Sequence, residues 1–144
     1  MILIDTNVIS ELWKLVPAPS VLVWIDAQIV ETLYLSAITV AELRYGLASM
    51  PEGKRRSIYQ DRLEREVLHA FKDRVLPFDM DASKAYSELM ARAKAEGVSI
   101  SKADGYIAAT ARARVLTVAT RDVSPFQAAD LTVINPWDFA HLSK

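Results

Sequence analysis

Five short segments of this chain are nearly continuous runs of apolar residues, and they restrict its fold more than any other feature. They are Ile2–Ile4, Leu33–Leu35, Arg74–Leu76, Leu116–Ala119 and Leu131–Ile134. A strand that faces water on one side alternates apolar and polar residues, and these runs do not alternate. We therefore predict strands that are buried on both faces, as in a parallel sheet covered by helices on both sides.

Helical patterns lie between these predicted strands. Helices are expected over residues 6–14, 39–49, 55–71, 81–96 and 101–115, and Ser20 is expected to cap one more. Asp81 is the predicted cap of the helix that Gly97 ends. Strands that alternate with helices predict an α/β fold, a three-layer α/β/α sandwich with a mainly parallel five-stranded sheet. We expect one domain over residues 1–144.

Four acidic residues lie where these predicted elements begin or end. Asp5 follows the first strand and Asp122 follows the fourth, whereas Glu42 and Asp104 are each predicted in the first turn of a helix. A helix between two parallel strands runs antiparallel to both, so its N-terminus lies near the C-terminal ends of the strands. All four carboxylates are therefore predicted at the C-terminal edge of the sheet, where open α/β sheets bind ligands.

A cluster of carboxylates at this edge predicts a divalent metal site. Neighbouring carboxylates repel each other and raise each other's pKa unless a cation lies between them. Oxygen ligands suit Mg²⁺ or Mn²⁺. The candidate catalytic and metal-ligating residues are therefore Asp5, Glu42, Asp104 and Asp122.

Each of these acids also has a purely structural explanation. Thr39-x-x-Glu42 is a capping-box pattern, Ser101-x-x-Asp104 is a looser one, and Asp5 and Asp122 could cap a helix or shape a turn. Two observations favour the metal site. Asp104 falls on the apolar stripe of its helix, where a carboxylate needs a compensating partner. Capping alone would also have to place four acids at one edge by coincidence.

Other polar residues near the same edge are candidates for supporting roles. Four of them could orient the ligands or bind metal-coordinated water, with local backbone capping as the alternative: Thr6, Asn7, Ser10 and Thr120. Three cations could bind phosphate, with solvated surface charge as the alternative: Arg44, Lys102 and Arg121. The three tryptophans are expected in the core or at subunit contacts rather than as base-stacking platforms.

What the chain lacks narrows the chemistry. It has no cysteine, which excludes disulfides and cysteine nucleophiles and fits a reducing cytoplasm. The only histidines are His69 and His141, which disfavours paired-histidine ribonuclease chemistry and a His-rich zinc site. No secretory leader or membrane span is expected, so we predict a cytoplasmic protein without a membrane partner. The net charge of −1 is compatible with a phosphodiester substrate, because bound metal would cancel the acidic cluster.

Several stretches of the chain resemble PIN-domain proteins and, within them, the FitB branch of the VapC toxins. The matching stretches are Ile4–Ser10, Leu35–Leu43, Ala103–Ala111, Val118–Asp122 and Asn135–Trp137. A single D-T-N motif is weak evidence for this resemblance, but four motifs in the right order and at compatible spacing are specific evidence. The resemblance covers the chain from Met1 to Trp137, and the family's acidic positions are all intact in it.

The resemblance implies a PIN fold and a metal-dependent endoribonuclease that is the toxin of a toxin–antitoxin pair. Its implied cofactor is Mg²⁺ or Mn²⁺, and water as the nucleophile would leave 5′-phosphate and 3′-hydroxyl ends. The implied partners are an RNA substrate, a cognate VapB-like antitoxin and a second copy of the chain in a homodimer. DNA would be bound only through the antitoxin.

Two other functions stay open at this point. The chain could act mainly as a subunit of an antitoxin complex that binds operator DNA and represses its own operon. It could also be an aspartyl-phosphate phosphatase with Asp5 as the nucleophile, although that chemistry usually needs an acid two residues further on, where Asn7 stands.

Overall fold

The computed structural model describes residues 1–139, so His141 lies outside the described part of the chain. Its sheet has five strands in the order β3-β2-β1-β4-β5. The strands are β1 (Ile2–Ile4), β2 (Leu33–Ser36), β3 (Val75–Leu76), β4 (Thr117–Ala119) and β5 (Val133–Ile134). All four pairings between neighbouring strands are parallel, which confirms the predicted parallel sheet.

The strand order places a switch point between β1 and β4. From β1 the chain adds β2 and β3 on one side, and then crosses to add β4 and β5 on the other side. The register pairs Ile4 with Ala119, so both strands end at the same level. Open α/β sheets bind ligands in the crevice that forms outside such a point. Asp5 and Thr120 are the residues that directly follow these two strand ends.

Helices surround the sheet. They are α1 (Thr6–Leu12), α2 (Pro19–Asp26), α3 (Ala37–Ala48), α4 (Lys54–Arg62), α5 (Leu68–Ala70), α6 (Met80–Ala95), α7 (Lys102–Arg114) and α8 (Val123–Ala128). Short 3-10 turns lie at Val30–Thr32 and Pro136–Asp138. None of the helices within residues 1–139 is both long and apolar enough to cross a bilayer.

Successive strand residues point to opposite faces of the sheet, and each face has its own core. Leu3 and Val118 pack with residues of α6, α7 and α8, among them Leu89, Ile107 and Phe126. Their neighbours Ile4 and Ala119 pack on the other face with residues of α1, α2 and α3, among them Val8, Val21 and Leu43. The strands are thus buried on both faces, which confirms the predicted three-layer α/β/α sandwich.

Three predicted helix starts are wrong, and in each case a different residue caps the helix. The helix predicted from Thr39 begins at Ala37, because the Ser36 hydroxyl accepts the backbone N–H of Thr39. Asp79 rather than Asp81 caps α6. The N-cap of α2 is Ala18, which precedes a proline in the first helical position, so Ser20 lies inside the helix. The Ser101 cap of α7 is confirmed.

The long helix predicted over residues 55–71 is present but irregular. It runs as α4, a π-helical segment over Leu63–Val67, and α5. Leu63 is buried, whereas Ile58, which the pattern places inward, is 47% exposed. A π segment adds a residue per turn and rotates the following side chains relative to the preceding ones. One α-helical stripe drawn through the whole segment therefore misplaces Ile58.

Candidate active site

Asp5 is the buried centre of the candidate site. It follows β1 and is only 4% exposed. Its Oδ1 accepts the Thr6 backbone N–H at 2.8 Å, so it caps α1 as the structural alternative predicts. Its Oδ2 accepts the Thr120 hydroxyl at 2.8 Å, from the end of the neighbouring strand β4. Capping and ligation are compatible here, because each oxygen keeps lone pairs that these bonds do not use.

Glu42 comes to the same site as Asp5 from helix α3. The Thr6 hydroxyl donates to Glu42 Oε1 at 2.5 Å and lies 3.1 Å from the Thr39 hydroxyl. Glu42 is in the second turn of α3 rather than in the first, since the helix begins at Ala37. The predicted capping box at Thr39 and Glu42 is therefore wrong. The two side chains instead meet Thr6 across the cleft.

Asp104 and Asp122 lie on the other side of Asp5. Asp104 is in the first turn of α7, as predicted, and is half-buried. Its backbone N–H donates to the Ser101 hydroxyl at 3.2 Å. Asp122 is exposed, and its backbone N–H donates to the Thr120 hydroxyl at 3.0 Å. The four acids thus come to one edge of the sheet, with Asp122 at its rim.

The electrostatics of the acids show that they are close neighbours. Burial, with smaller contributions from the charges of Asp104 and Glu42, raises the pKa of Asp5 to about 6 against the hydrogen bonds from Thr120 and Thr6. Burial also raises the pKa of Asp104, and the charge of Asp122 adds to this. Such carboxylates gain from a cation that replaces the lost water and offsets the repulsion.

Three of the four acids line a cleft of about 390 Å³ at the switch point. Its lining residues are Asp5, Thr6, Asn7, Ser10, Glu11, Lys14, Glu42, Asp104, Arg121 and Trp137. Within the described residues, no three acidic or histidine side chains stand close enough to form a ready-made metal-ligand set. The carboxylates share the cleft but stay apart, as repulsion between like charges favours. Their oxygen donors fit a hard divalent cation such as Mg²⁺ or Mn²⁺.

Asn7 and Thr120 connect the site to the chain behind it. The Asn7 side-chain amide donates to the Thr120 hydroxyl at 3.2 Å, and its oxygen accepts the Arg121 backbone N–H at 3.2 Å. The Thr120 hydroxyl in turn donates a hydrogen bond to Asp5 Oδ2. Both side chains therefore orient a candidate ligand, which is the supporting arrangement expected for them and for Thr6. Ser10 lines the cleft as well.

Three residues of the cleft are absent from the predicted set of ligands and phosphate-binding cations. They are Glu11, Lys14 and Trp137. Glu11 is 5% exposed and accepts the Ala18 backbone N–H at 2.8 Å and the Lys14 ammonium at 2.8 Å. These bonds lower the pKa of Glu11. A sequence signal exists, because Asn7 and Glu11 are spaced i and i+4 on one face of α1, and Lys14 follows two residues after the end of the helix.

The three candidate phosphate-binding cations have different surroundings in the structure. Arg44 donates two hydrogen bonds to Glu64, at 3.0 and 2.8 Å, on the surface. Lys102 is exposed and does not line the cleft, whereas Arg121 does.

Two of the tryptophans differ in their position relative to the cleft. Trp24 is in the core, as predicted, while Trp137 packs against the core and also lines the cleft.

Comparison with known families identifies the domain. The sequence matches the family model of the PIN domain over residues 2–131. The matched range contains all four candidate acids, from Asp5 to Asp122, together with the supporting threonines and Asn7. It also contains the helices that bring Glu42 and Asp104 to the cleft.

The chain also has similar full-length relatives. The VapC ribonuclease Y4jK of Sinorhizobium fredii is 69% identical over 138 residues, which are 96% of this chain and 99% of that protein. Toxin FitB of Neisseria gonorrhoeae is 51% identical over 137 residues, which are 95% of this chain and 99% of that protein. The solved structure of FitAB bound to the IR36 DNA fragment contains a chain with a TM-score of 0.94 and 48% identity, with 99% of each chain covered.

Proposed function

Because this chain belongs to the PIN-domain family and resembles its VapC and FitB toxins over nearly its full length, we propose that it is a metal-dependent endoribonuclease and the toxin of a VapBC-type pair. The observation that carries this proposal is the buried Asp5 at the β1–β4 switch point, with Glu42 and Asp104 in the same cleft. Such a carboxylate set suits a divalent ion and a phosphodiester substrate.

The residues present fit a magnesium or manganese ion. Asp5 and Asp104 would hold it, and Glu42 and Asp122 would complete its ligands or support a second ion. When bound, the ion supplies a nucleophilic water at neutral pH and offsets the negative charge that develops on the phosphate oxygens. Attack of water on phosphorus with loss of the 3′-oxygen would leave a 5′-phosphate and a 3′-hydroxyl. The aspartyl-phosphate alternative has less support, because Asn7 stands where that chemistry usually needs a second acid.

The protein's own part in this chemistry is to fix the carboxylates before the substrate arrives. Thr120 and the Thr6 backbone N–H hold the two oxygens of Asp5, and the Thr6 hydroxyl holds Glu42. Preorganised groups need not reorganise as charge develops, which lowers the barrier to reaction. Thr6 therefore couples the ends of α1 and α3 in one positioning unit.

The proposed partners are an RNA substrate, a VapB-like antitoxin and a second copy of the chain. The solved structure of FitAB bound to a DNA fragment supports a DNA-binding role for the complex of this chain with its antitoxin. We infer that this chain reaches operator DNA only through its antitoxin, and that the pair works in the cytoplasm. A regulatory complex is the second function that this observation supports, and it is compatible with cleavage.

The test compares wild-type protein with Asp5→Asn, which keeps the shape of the side chain and removes its charge. The purified chains are incubated with RNA and Mg²⁺, Mn²⁺ or chelator, and the RNA ends are sequenced. We expect 5′-phosphate ends that depend on the metal and that Asp5→Asn abolishes. Asp81→Asn, an exposed residue outside the cleft, is the matched control. Undiminished metal-dependent cleavage by folded Asp5→Asn would show that the site is wrong.

A further inference from the structure

One cation in the cleft is held over an aromatic ring. The guanidinium carbon of Arg121 lies 5.1 Å from the ring centre of Trp137, and both residues line the cleft that contains Asp5, Glu42 and Asp104. A guanidinium over a ring is attracted by the negative face of the ring and does not use its N–H donors in hydrogen bonds to do so. Arg121 therefore presents a fork of donors beside a group of carboxylates.

The backbone of Arg121 and the ring of Trp137 are both held by neighbouring parts of the fold. The Arg121 backbone N–H donates to Asn7 Oδ1, and Asn7 is bonded in turn to Thr120, the residue that holds Asp5. Trp137 is half-buried, packs against the core on the α1–α3 side, and donates its backbone N–H to Asn135 at 3.0 Å. The backbone that carries Arg121 is thus connected to the candidate metal ligands, and the ring under its guanidinium packs on the core.

The charge of Arg121 is not used by a salt bridge among the described residues. Arg44, Arg65 and Arg114 all pair with surface carboxylates. Glu11 is an acid of the cleft near Arg121, and it already accepts the Ala18 backbone N–H and the Lys14 ammonium. Lys14 is therefore the cation that balances Glu11, and Arg121 has donors left for a ligand.

We propose that Arg121, stacked on Trp137, binds a backbone phosphate of the RNA strand and so positions the neighbouring phosphodiester over the acidic cluster. This inference rests on the proposed function and names how that site takes its substrate. A phosphate is the ligand that matches a planar fork of N–H donors, which can bind two of its oxygens at once. It would also explain how a cleft lined by four carboxylates attracts a polyanion. Arg121 is a substrate-binding and positioning residue in this scheme.

The test measures RNA binding rather than cleavage. All variants are made in an Asp5→Asn background, and binding of a fluorescein-labelled single-stranded RNA of mixed sequence is followed by anisotropy over a series of salt concentrations. Arg121→Gln should weaken binding by about tenfold or more, because a charge-assisted hydrogen-bond pair is lost. The slope of log K against log salt should fall by about 0.7, the value for one phosphate contact on a single strand.

Two further variants separate phosphate binding from a structural role of the stack. Arg121→Lys keeps the charge and should keep the salt slope while it loses part of the affinity, since an ammonium lacks the planar fork. Trp137→Phe keeps a ring under the guanidinium and should bind more tightly than Arg121→Gln. Arg65→Gln, an exposed arginine outside the cleft, should match the parent. Thermal unfolding of each variant checks that it is folded.

Unchanged affinity and salt slope in folded Arg121→Gln would overturn the inference. So would an equal loss in Arg65→Gln, because the effect would then be general charge attraction. The proposed function fails by a different result, namely cleavage that Asp5→Asn leaves intact. In that case the binding series is run with chelator, and its outcome still decides the role of Arg121.

Discussion

The Thr120 hydroxyl donates a hydrogen bond of 2.8 Å to Asp5 Oδ2, although the two residues are 115 positions apart in the chain. Each follows the end of one of two adjacent parallel strands, β1 and β4, so the pairing of the strands brings them together. Both are buried, Thr120 at 0% exposure and Asp5 at 4%. The bond stabilises the ionised form of Asp5 and fixes the direction of its oxygens.

Replacing Thr120 by valine should weaken metal binding without a change in shape. The loss of the donor raises the pKa of Asp5 further and frees its carboxylate to rotate. Mutation of a residue that orients a metal ligand typically lowers metal affinity by about 10- to 100-fold. Calorimetric titration with Mn²⁺ measures the effect. Thr110→Val, a buried threonine whose hydroxyl bonds Tyr106 within α7, is the control and should bind Mn²⁺ like wild type.

Mn²⁺ affinity should fall as the pH is lowered through about 6. The pKa of Asp5 is raised to about 6 by burial, so below that pH a proton competes with the cation for its oxygens. Binding near pH 5.5 should release more protons than binding near pH 7.5, where Asp5 is already ionised. Titrations in buffers of different ionisation enthalpy count these protons. A constant affinity between pH 7.5 and 5 would contradict the burial of a ligand carboxylate.

Asp5→Asn should make the metal-free protein more stable at neutral pH. The folded pKa of about 6 lies above the usual 3.8, so folding binds a proton between these values and stability falls as the pH rises through this window. Above pH 6 the ionised Asp5 costs on the order of 1–3 kcal/mol, which asparagine avoids.

Urea unfolding with chelator measures this difference. The gain of Asp5→Asn over wild type should be largest at pH 7 and should shrink towards pH 4, where folded Asp5 is protonated and unfolded Asp5, with its usual pKa of 3.8, is already partly protonated. Saturating Mn²⁺ should reverse the order of stability, since the ion binds wild type more tightly. A variant that is less stable than wild type at pH 7 in chelator would argue against an unfavourable charge at Asp5.

Gly105 should not tolerate a methyl group, because it lies where α7 packs on α6. A Cβ at Gly105 would approach the Met90 sulfur to 2.8 Å and Tyr86 Cε1 to 3.0 Å. Gly105→Ala should therefore destabilise the protein by about 1–3 kcal/mol, the usual effect of overpacking. It should also weaken Mn²⁺ binding, since Asp104 is the preceding residue.

Gly46 is the matched control for this variant. It lies within α3, and a Cβ there would meet nothing within 4 Å. Gly46→Ala should stabilise the protein by about 0.5–1 kcal/mol through helix propensity alone. Urea unfolding of both variants tests the contrast. Equal stabilisation by the two changes would mean that Met90 and Tyr86 move aside at no cost.

Local sequence patterns predict the strands, their parallel pairing and the edge at which the acids meet. These follow from local patterns, because an apolar run without alternation implies burial on both faces and a helix start has a local cap. Asp5 after β1 and Asp104 in the first turn of α7 were therefore predictable. The exact starts of three other helices were not, since Ser36, Ala18 and Asp79 are equally local candidates whose choice depends on packing.

Which side chains share the cleft depends on long-range packing of the chain. Thr6 meets Glu42, Thr120 meets Asp5, and Arg121 stacks on Trp137 across sequence separations that no local pattern spans. The same holds for the cations. Arg44 and Arg121 are equivalent candidates in the sequence, and only the folded chain shows that Arg44 is hydrogen-bonded to Glu64. Burial and charge at a site are sums over neighbours from several segments, and those neighbours exist only once the chain has folded.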